Sequence, residues 1–313
     1  MSTPPVVSVV VPTYNRSAAL RRVIGSVLDQ TFPPAEYEVL VVDNNSRDDT
    51  AHIIDDIARA YPGRLRRILE TRQGVAYARQ AGIDQARADI IAFFDDDVRV
   101  SGNWIETIVA TFRARPEALC IGGKVLPDWS EMPPAWLTPE HWSPLGLQDF
   151  GDEPMETSSS NPRGLISANL ACRSEVFKRI GGFSPALQRV KDGIGSLEDN
   201  EWNRRFWKAG GVALYVPELV AWTDVPVDRL TRAYHRRWHG GHGRFYALLR
   251  AEEMERSDIG SFLGVPAHLY RSAFADAAGF IRSIVTGRHD AAFLHEIRLR
   301  FFSGFLAQRL RQS

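Results

Sequence analysis

Ile90-Ile91-Ala92-Phe93-Phe94-Asp95-Asp96-Asp97 decides the reading of this chain. Five apolar residues run into three adjacent carboxylates. An apolar run of this length, bounded by polar residues, predicts a buried parallel strand. Residues two apart on an extended chain share a face, which sets Asp95 and Asp97 toward one ligand and Asp96 elsewhere. Three ionised carboxylates repel one another and need a cation or a ring of donors to stay charged together. A hard divalent ion, completed by substrate phosphates, suits such a set. An acidic strand-to-loop turn on the surface has the same sequence, so the triplet alone does not choose between the two.

Working outward, Val6 to Val11 is a β-branched strand closed by Pro12, with Thr13-Tyr14-Asn15-Arg16 as the loop beyond it. Leu20, Val23, Ile24, Val27 and Leu28 recur at helical spacing. Glu38 to Val42 is a second strand ending in Asp43, and Asn44 to Thr50 supplies turn and cap residues before a helix with Ile53, Ile54 and Ile57. A third strand falls near Leu65 to Leu69, a helix over Gly74 to Ala86, and another over Trp104 to Phe112. Strand alternating with helix predicts a mostly parallel central sheet flanked by helices, an α/β fold whose ligands bind beyond the carboxyl ends of the strands. Thr13–Asn15, Asp43–Ser46 and Asp95–Asp97 all lie at such ends. No Gly-x-Gly-x-x-Gly follows the first strand and no Gly-x₄-Gly-Lys-Ser/Thr occurs, so a phosphate must be held by other means.

Three segments are expected: 1–125, the strand–helix alternation; 126–225, opened by the Pro- and Trp-rich loop 126–162; and 226–313, a basic, amphipathic helical tail. Residues 126–162 carry seven prolines with Trp129, Trp136 and Trp142, a long loop suited to stacking a sugar or to packing on the body. Leu165 to Cys172 reads as a strand, Ser174 to Ile180 as a helix closed by Gly181-Gly182-Phe183, and Val212 to Val216 and Leu219 to Trp222 as two more strands. Ser196 to Trp202 leads into a helix with Trp202, Phe206 and Trp207 on one face. Glu198 and Asp199 stand at its start, where capping is the plain explanation. Arg236, Arg237, His239, His242 and Arg244 form a dense cationic and imidazole run between Ala233 and Arg250, welcoming to a diphosphate.

The tail, 259–313, is two amphipathic helices. Leu269, Tyr270, Ala273, Phe274, Ala277, Phe280, Ile281 and Ile284 stripe the first, and Phe293, Leu294, Ile297, Phe301, Phe305 and Leu306 the second, with Arg298, Arg300, Arg309 and Arg311 beside them. Such stripes lie in a membrane surface, cover a core or make a homodimer. The membrane is favoured, because 14 arginines stand against 8 acids from residue 226 onward. The whole chain is neutral, 38 basic against 38 acidic residues, which argues against nucleic acid as a partner. Two cysteines give no disulfide framework, and no run of about 18 apolar residues or signal pattern occurs. The chain is read as cytoplasmic, or peripheral on the inner face of the membrane.

Val9-Val10-Val11-Pro12-Thr13-Tyr14-Asn15-Arg16, Val41-Val42-Asp43-Asn44-Asn45-Ser46, Phe94-Asp95-Asp96-Asp97, Gly181-Gly182-Phe183 and Glu198-Asp199 together resemble family 2 glycosyltransferases, in the family's order over about 6–225. The resemblance implies a GT-A-type fold, with 1–125 as the nucleotide-sugar-binding half and 126–225 as the acceptor-binding and catalytic half, and inverting, metal-assisted transfer of a hexose from a nucleotide-diphosphate sugar to a carbohydrate or lipid-linked acceptor, in cell-envelope polysaccharide, glycolipid or other glycoconjugate synthesis. It implies that Pro12, Thr13, Tyr14, Asn15 and Asn45 line the donor pocket. Asp43 would accept the ring N–H of the base, a donor that uracil, thymine and guanine offer and neutral cytosine does not, which points to UDP, dTDP or GDP sugars. Asp95 or Asp96 would meet the ribose, Asp97 with Asp95 a Mn²⁺ or Mg²⁺ ion in the Asp-x-Asp manner, and Arg79 the diphosphate. Asp199 would be the catalytic base, with Glu198 and Trp202 near the acceptor, and Arg237 and His239 would close over the diphosphate. Ala78-Arg79-Gln80 stands where the family has Ala-Arg-Asn. A sugar-phosphate nucleotidyltransferase and a non-catalytic sugar-nucleotide-binding protein are the alternatives.

Overall fold

The first strand, β1 (Val7–Thr13), is buried over its whole length. A strand covered on both faces must be apolar at every position, which is what the Val run supplies. In a computed structural model, residues 4–188, 197–249 and 260–312 are described. Ser196, Arg250 and the ends of the 259–313 tail lie outside them. After β1 come α1 (Ser17–Leu28), β2 (Tyr37–Asp43), α2 (Thr50–Ala60), β3 (Leu65–Leu69), α3 (Val75–Gln85), β4 (Ile90–Phe93), β5 (Val98–Val100) and α4 (Trp104–Ala114). Then follow β6 (Cys120–Trp129), β7 (Met155–Thr157), β8 (Leu170–Arg173), α5 (Ser174–Ile180), α6 (Glu198–Lys208) and β9 (Ala213–Val225). Among the described residues these strands make one nine-stranded sheet, ordered β3-β2-β1-β4-β8-β6-β9-β5 with β7 paired to β9. The fold is α/β, and the alternation read from the sequence describes its first half: β3, β2, β1 and β4 are parallel. The second half is antiparallel, β8 to β4 and β6, and β5 and β7 to β9.

Alternate residues of the parallel strands serve two cores. Val7, Val9, Val11, Val39 and Val41 face Leu20, Ile24, Ile54, Trp104 and Ile108. Val10, Leu40 and Val42 face Ala76, Ala78, Trp202 and Phe206. On this second face α3 lies against β1 so closely that a Cβ on Gly82 would stand 2.3 Å from Val10 Cγ1. The small side chains of α3 thus hold it beneath the strand ends.

Several elements differ from the expected ones: β8 begins at Leu170, not Leu165, because Ser167–Asn169 is a short helical turn, and the three-residue strands β5 and β7 were not expected. Val212–Val216 and Leu219–Trp222 are one strand, β9, and Pro217 falls between the part that pairs with β7 and the part that pairs with β5. A proline is tolerated where no single neighbour needs its N–H. The strand β6 was hidden by Gly122-Gly123, which lack strand propensity. A Cβ on Gly123 would lie 1.9 Å from the Leu219 carbonyl oxygen, so glycine there is a requirement of the β6–β9 approach.

The described residues group into two compact units, one from Met1–Asp128, Gly146–Val190 and Glu198–Asp224, the other from Trp129–Leu145, Lys191–Leu197 and Val225–Ser313. The first is the sheet with its helices. The second contains α7 (Arg232–Leu249), a short hairpin of β10 (Ser261–Phe262) and β11 (Val265–Pro266), α8 (Ala267–Val285) and α9 (His289–Leu310). Trp136 packs here, edge-on to His141, His235 and Phe293. The run read as a cationic stretch is a helix despite Gly240, Gly241 and Gly243, each costing about 1 kcal/mol of helix propensity. Backbone contact explains Gly243 and, on the facing helix, Gly304. A Cβ on Gly243 would lie 2.0 Å from the Phe301 carbonyl oxygen, and one on Gly304 would lie 2.1 Å from that of Gly240. The fold therefore predicts that Gly304→Ala lowers the stability of this unit by about 1–3 kcal/mol, as overpacking does, seen as an earlier denaturant midpoint for α-helical signal.

Candidate active site

Thr13 and Asp43 end neighbouring parallel strands in register, and the loops beyond them are locked together. Asn15 and Asn45 both adopt positive φ, 52° and 64°, which asparagine tolerates better than most residues. The Asn15 N–H donates to Ser46 Oγ at 3.0 Å, and the Arg47 N–H donates to Asn15 Oδ1 at 2.8 Å. Asp43 is buried and accepts the Ser46 N–H on Oδ1 at 2.9 Å. Its Oδ2 has the Arg67 guanidinium at 3.7 Å, which leaves acceptor capacity on that oxygen. Asn44 sews the next turn in place: its amide donates to the Glu70 and Arg72 carbonyls, and its Oδ1 accepts the Gly74 N–H at 2.6 Å, where α3 begins. Pro12 is the buried penultimate residue of β1, and Tyr14 is exposed above it.

The strand β4 stops at Phe93, and the chain turns at once, with the Val98 N–H donating to the Asp95 carbonyl at 3.0 Å. The two-residue alternation therefore does not extend through the triplet. Asp96 and Asp97 both meet the Arg16 guanidinium at 3.4 Å, and Asp95 points to Arg79 at 2.9 Å. Asp96 also accepts the Tyr14 N–H at 3.2 Å. Burial, and then the neighbouring Asp97, push the Asp96 carboxyl up to about 7, against the pull of Arg16 and the Thr13 hydroxyl.

Arg79 is the centre of the arrangement. It rises from α3, is buried, and meets Asp95 at 2.9 Å, Glu198 at 3.3 Å and Asp199 at 3.9 Å. Burial works against its charge, and Asp95, then Asp199 and Glu198, more than reverse that effect, holding it above the usual arginine range. Glu198 and Asp199 open α6. Their partners are Arg79 and the Ser167 N–H, which donates to Asp199 Oδ2 at 3.2 Å. Burial first and Asp199 second push Glu198 up to about 7. Burial also raises the Asp199 carboxyl, with Arg79 opposing. The side chain of Asp199 is 23% exposed and that of Glu198 7%, so Asp199 is the more accessible of the pair. Asn203 fixes this end of α6 by exchanging hydrogen bonds with the Leu165 backbone at 2.8 and 3.3 Å.

Trp202, the next inward residue of α6, is in the core, stacked on Phe206 at 5.4 Å with its Nε1–H donating to the Gly181 carbonyl at 3.1 Å. Arg237 and His239 belong to α7 in the other unit. Arg237 is exposed beside Arg236 and Arg300. Burial, with lesser help from neighbouring imidazoles, pushes His239 down to about 3, so its ring is neutral. Arg16, Asn44 and the Ser167 backbone were not singled out as site residues. Arg16 had a visible signal, a lone cation just past the first strand with three acids elsewhere to neutralise, whereas the amide links of Asn44 and Ser167 have none.

Five carboxylates, Asp95, Asp96, Asp97, Glu198 and Asp199, thus meet two guanidiniums, Arg16 and Arg79. Among the described residues no three acids or histidines are already gathered around a common point for a metal. A divalent ion commonly needs only one or two protein carboxylates when a diphosphate completes its shell. The donor set here, hard carboxylate oxygens in excess over cations, fits that arrangement.

The parallel half of the sheet thus gathers a buried acid, Asp43, the acid triplet and the Glu198-Asp199 pair at its carboxyl edge, the layout of an α/β enzyme with its site beyond the strand ends. The model of glycosyl transferase family 2 matches residues 8–181, more than half of the chain, and the chain belongs to that family. Glucosyl-dolichyl phosphate glucuronosyltransferase of Haloferax volcanii is 31% identical over 195 residues, 59% of this chain and 58% of that relative. Glycosyltransferase AglE of the same organism is 32% identical over 219 residues, 70% of this chain and 67% of its own length. The match thus spans less than two thirds of the first relative. Among solved structures, S. aureus TarS in complex with UDP is 19% identical with a TM-score of 0.56, covering 98% of this chain and 91% of that one. The mannosyltransferase PcManGT from Pyrobaculum calidifontis in complex with GDP-Man and Mn²⁺ is 18% identical with a TM-score of 0.63, covering 99% and 89%. These likenesses establish the GT-A fold.

Proposed function

We propose that this chain transfers a sugar, with inversion, from a nucleoside diphosphate sugar of the UDP, dTDP or GDP type to an acceptor hydroxyl. The observation that carries the reading is the Arg79 hub, which joins the acid triplet to Glu198-Asp199 within 3.9 Å at one sheet edge. Asp43 Oδ2 accepts the base N–H, and Pro12 to Asn15 with Asn45 frame the nucleoside. Asp97 would hold the divalent ion, with Asp95 joining it only if that carboxylate turns from Arg79, and the ion would supply Lewis-acid stabilisation of the departing diphosphate. Asp199 takes the proton from the acceptor hydroxyl as it attacks the anomeric carbon from the face opposite the leaving group. No sugar–enzyme bond is needed. The first relative acts, by its name, on a glucosylated dolichyl phosphate, which supports a lipid-linked acceptor here.

The test is nucleoside diphosphate release by the purified protein across a panel of nucleotide sugars, with NMR of the product anomer. Pyrophosphate release from a nucleoside triphosphate, with no transfer, would replace this reading by nucleotidyl transfer. Chelation and Asp97→Ala are each expected to lower turnover by about 10²–10³-fold, the range for losing one preorganised electrostatic stabiliser. Full activity in chelator would remove the metal from the mechanism.

A further inference from the structure

The two tail helices use their apolar stripes differently. In α9 the stripe is spent inside its own unit: Phe293, Ile297 and Phe305 are buried. In α8 an apolar ridge faces outward. Phe274 is 75% exposed, Ile281 63% and Val285 80%, and exposed Ala278 continues the same line at helical spacing. Monomeric surfaces rarely leave such a run open without a use for it. The ridge extends onto the hairpin, where Phe262 and Leu263 are exposed and the Tyr270 hydroxyl donates to the Phe262 carbonyl at 3.0 Å. Leu263 holds φ at +51°, a left-handed conformation that turn sequences normally give to Asn or Gly. A leucine kept there, at an exposed tip, is an outlier of the kind that accompanies function. The tip is fixed by Arg309, whose Nε–H donates to the Gly264 carbonyl at 3.1 Å.

The charge on this face selects the partner. Arg271 and Arg282 are exposed on one flank of the ridge. The single acid of α8, Asp276, is turned to His295 and Arg298, at 2.8 and 3.6 Å. A two-fold pairing of this helix with its counterpart in a second copy would double the arginines, and among the described residues the helix has no further acid to meet them. An anionic lipid surface meets both features at once, taking the apolar ridge below the headgroups and the arginines among them. No helix among the described residues is long and apolar enough to cross a membrane. We propose that α8 lies flat in the interface of an anionic membrane, with Phe262, Leu263, Phe274, Ile281 and Val285 inserted, over a length of about 28 Å.

Flotation of the full chain with phosphatidylcholine vesicles, with and without phosphatidylglycerol, tests this. Binding is expected only with the anionic lipid and is expected to weaken as salt rises. Phe274→Glu and Ile281→Glu should each weaken it by about tenfold or more, and Leu310→Glu on α9 should leave it unchanged. These side chains are exposed, so unchanged melting of the variants separates lost binding from lost folding. An environment-sensitive dye on Ala278→Cys should shift to the blue on vesicles. Absence of binding to anionic vesicles, or binding that survives Phe274→Glu, overturns the proposal. A dimer that Phe274→Glu dissociates, without vesicle binding, overturns it in favour of self-association. Donor turnover in solution, read in parallel, reports on the catalytic reading separately.

Discussion

Asp199→Asn is expected to slow sugar transfer by about 10²–10⁴-fold, the usual share of a positioned general base. The substitution is close to isosteric. Its amide oxygen can still accept the Ser167 N–H that now donates to Oδ2 at 3.2 Å, so the start of α6 should stay in place. Donor binding, which this reading assigns to Asp43 and the triplet, should be retained, and isothermal titration with donor separates the two effects. The pH dependence has a fixed sign. Burial raises the Asp199 carboxyl above its ordinary value. A base must be ionised to take a proton, so wild-type kcat/KM should fall as the pH drops through that raised value. The Asn variant should lose this acid limb while keeping whatever dependence the donor contributes. Near wild-type turnover in Asp199→Asn would move the base to Glu198, which is less reachable, and Glu198→Gln would then be the variant that stops the reaction.

The parts of this fold that the sequence displayed are those with a short-range cause. The Val run of β1 and the apolar run of β4 announce themselves because a doubly covered strand has no polar position to hide. The acids at the strand ends follow once the strands are placed. What stayed hidden is set by contacts across the chain. The glycines that mask β6 and α7 are there because Leu219 and Phe301 approach their backbones from 96 and 58 residues away. The split within the triplet followed the turn after Phe93, which no alternation rule foresees. Arg79 was visible as a cation but read as facing a diphosphate; its three carboxylate neighbours come from segments far apart in the chain. The two tail stripes look alike as patterns, and only packing shows that one is core and the other surface.

Arg79→Met tests how far fold and site depend on one charge. The variant keeps most of the side-chain volume and removes the guanidinium that Asp95, Glu198 and Asp199 share. Breaking a buried ion pair by removing one partner costs about 3–5 kcal/mol, because the other charge is left without compensation. For a chain of this size that is a fall in melting temperature on the order of 10 °C. The loss should depend on pH in a defined direction. Glu198 has its carboxyl raised from 4.5 to about 7 in the folded chain. The folded state therefore holds a proton there that the unfolded state has released across this window, and the stability this gives is lost as pH rises through 7. With Arg79 gone, the neighbouring negative charge is less opposed and Glu198 should hold its proton to still higher pH. The penalty of Arg79→Met should accordingly be smaller at pH 5.5 than at pH 8. Adding Glu198→Gln to Arg79→Met should recover part of the loss at pH 8, whereas two independent sites would simply add. A double variant no more stable than the single one, at either pH, would show that Arg79 holds the site through packing against Phe183, whose ring its guanidinium covers at 5.2 Å, and not through charge.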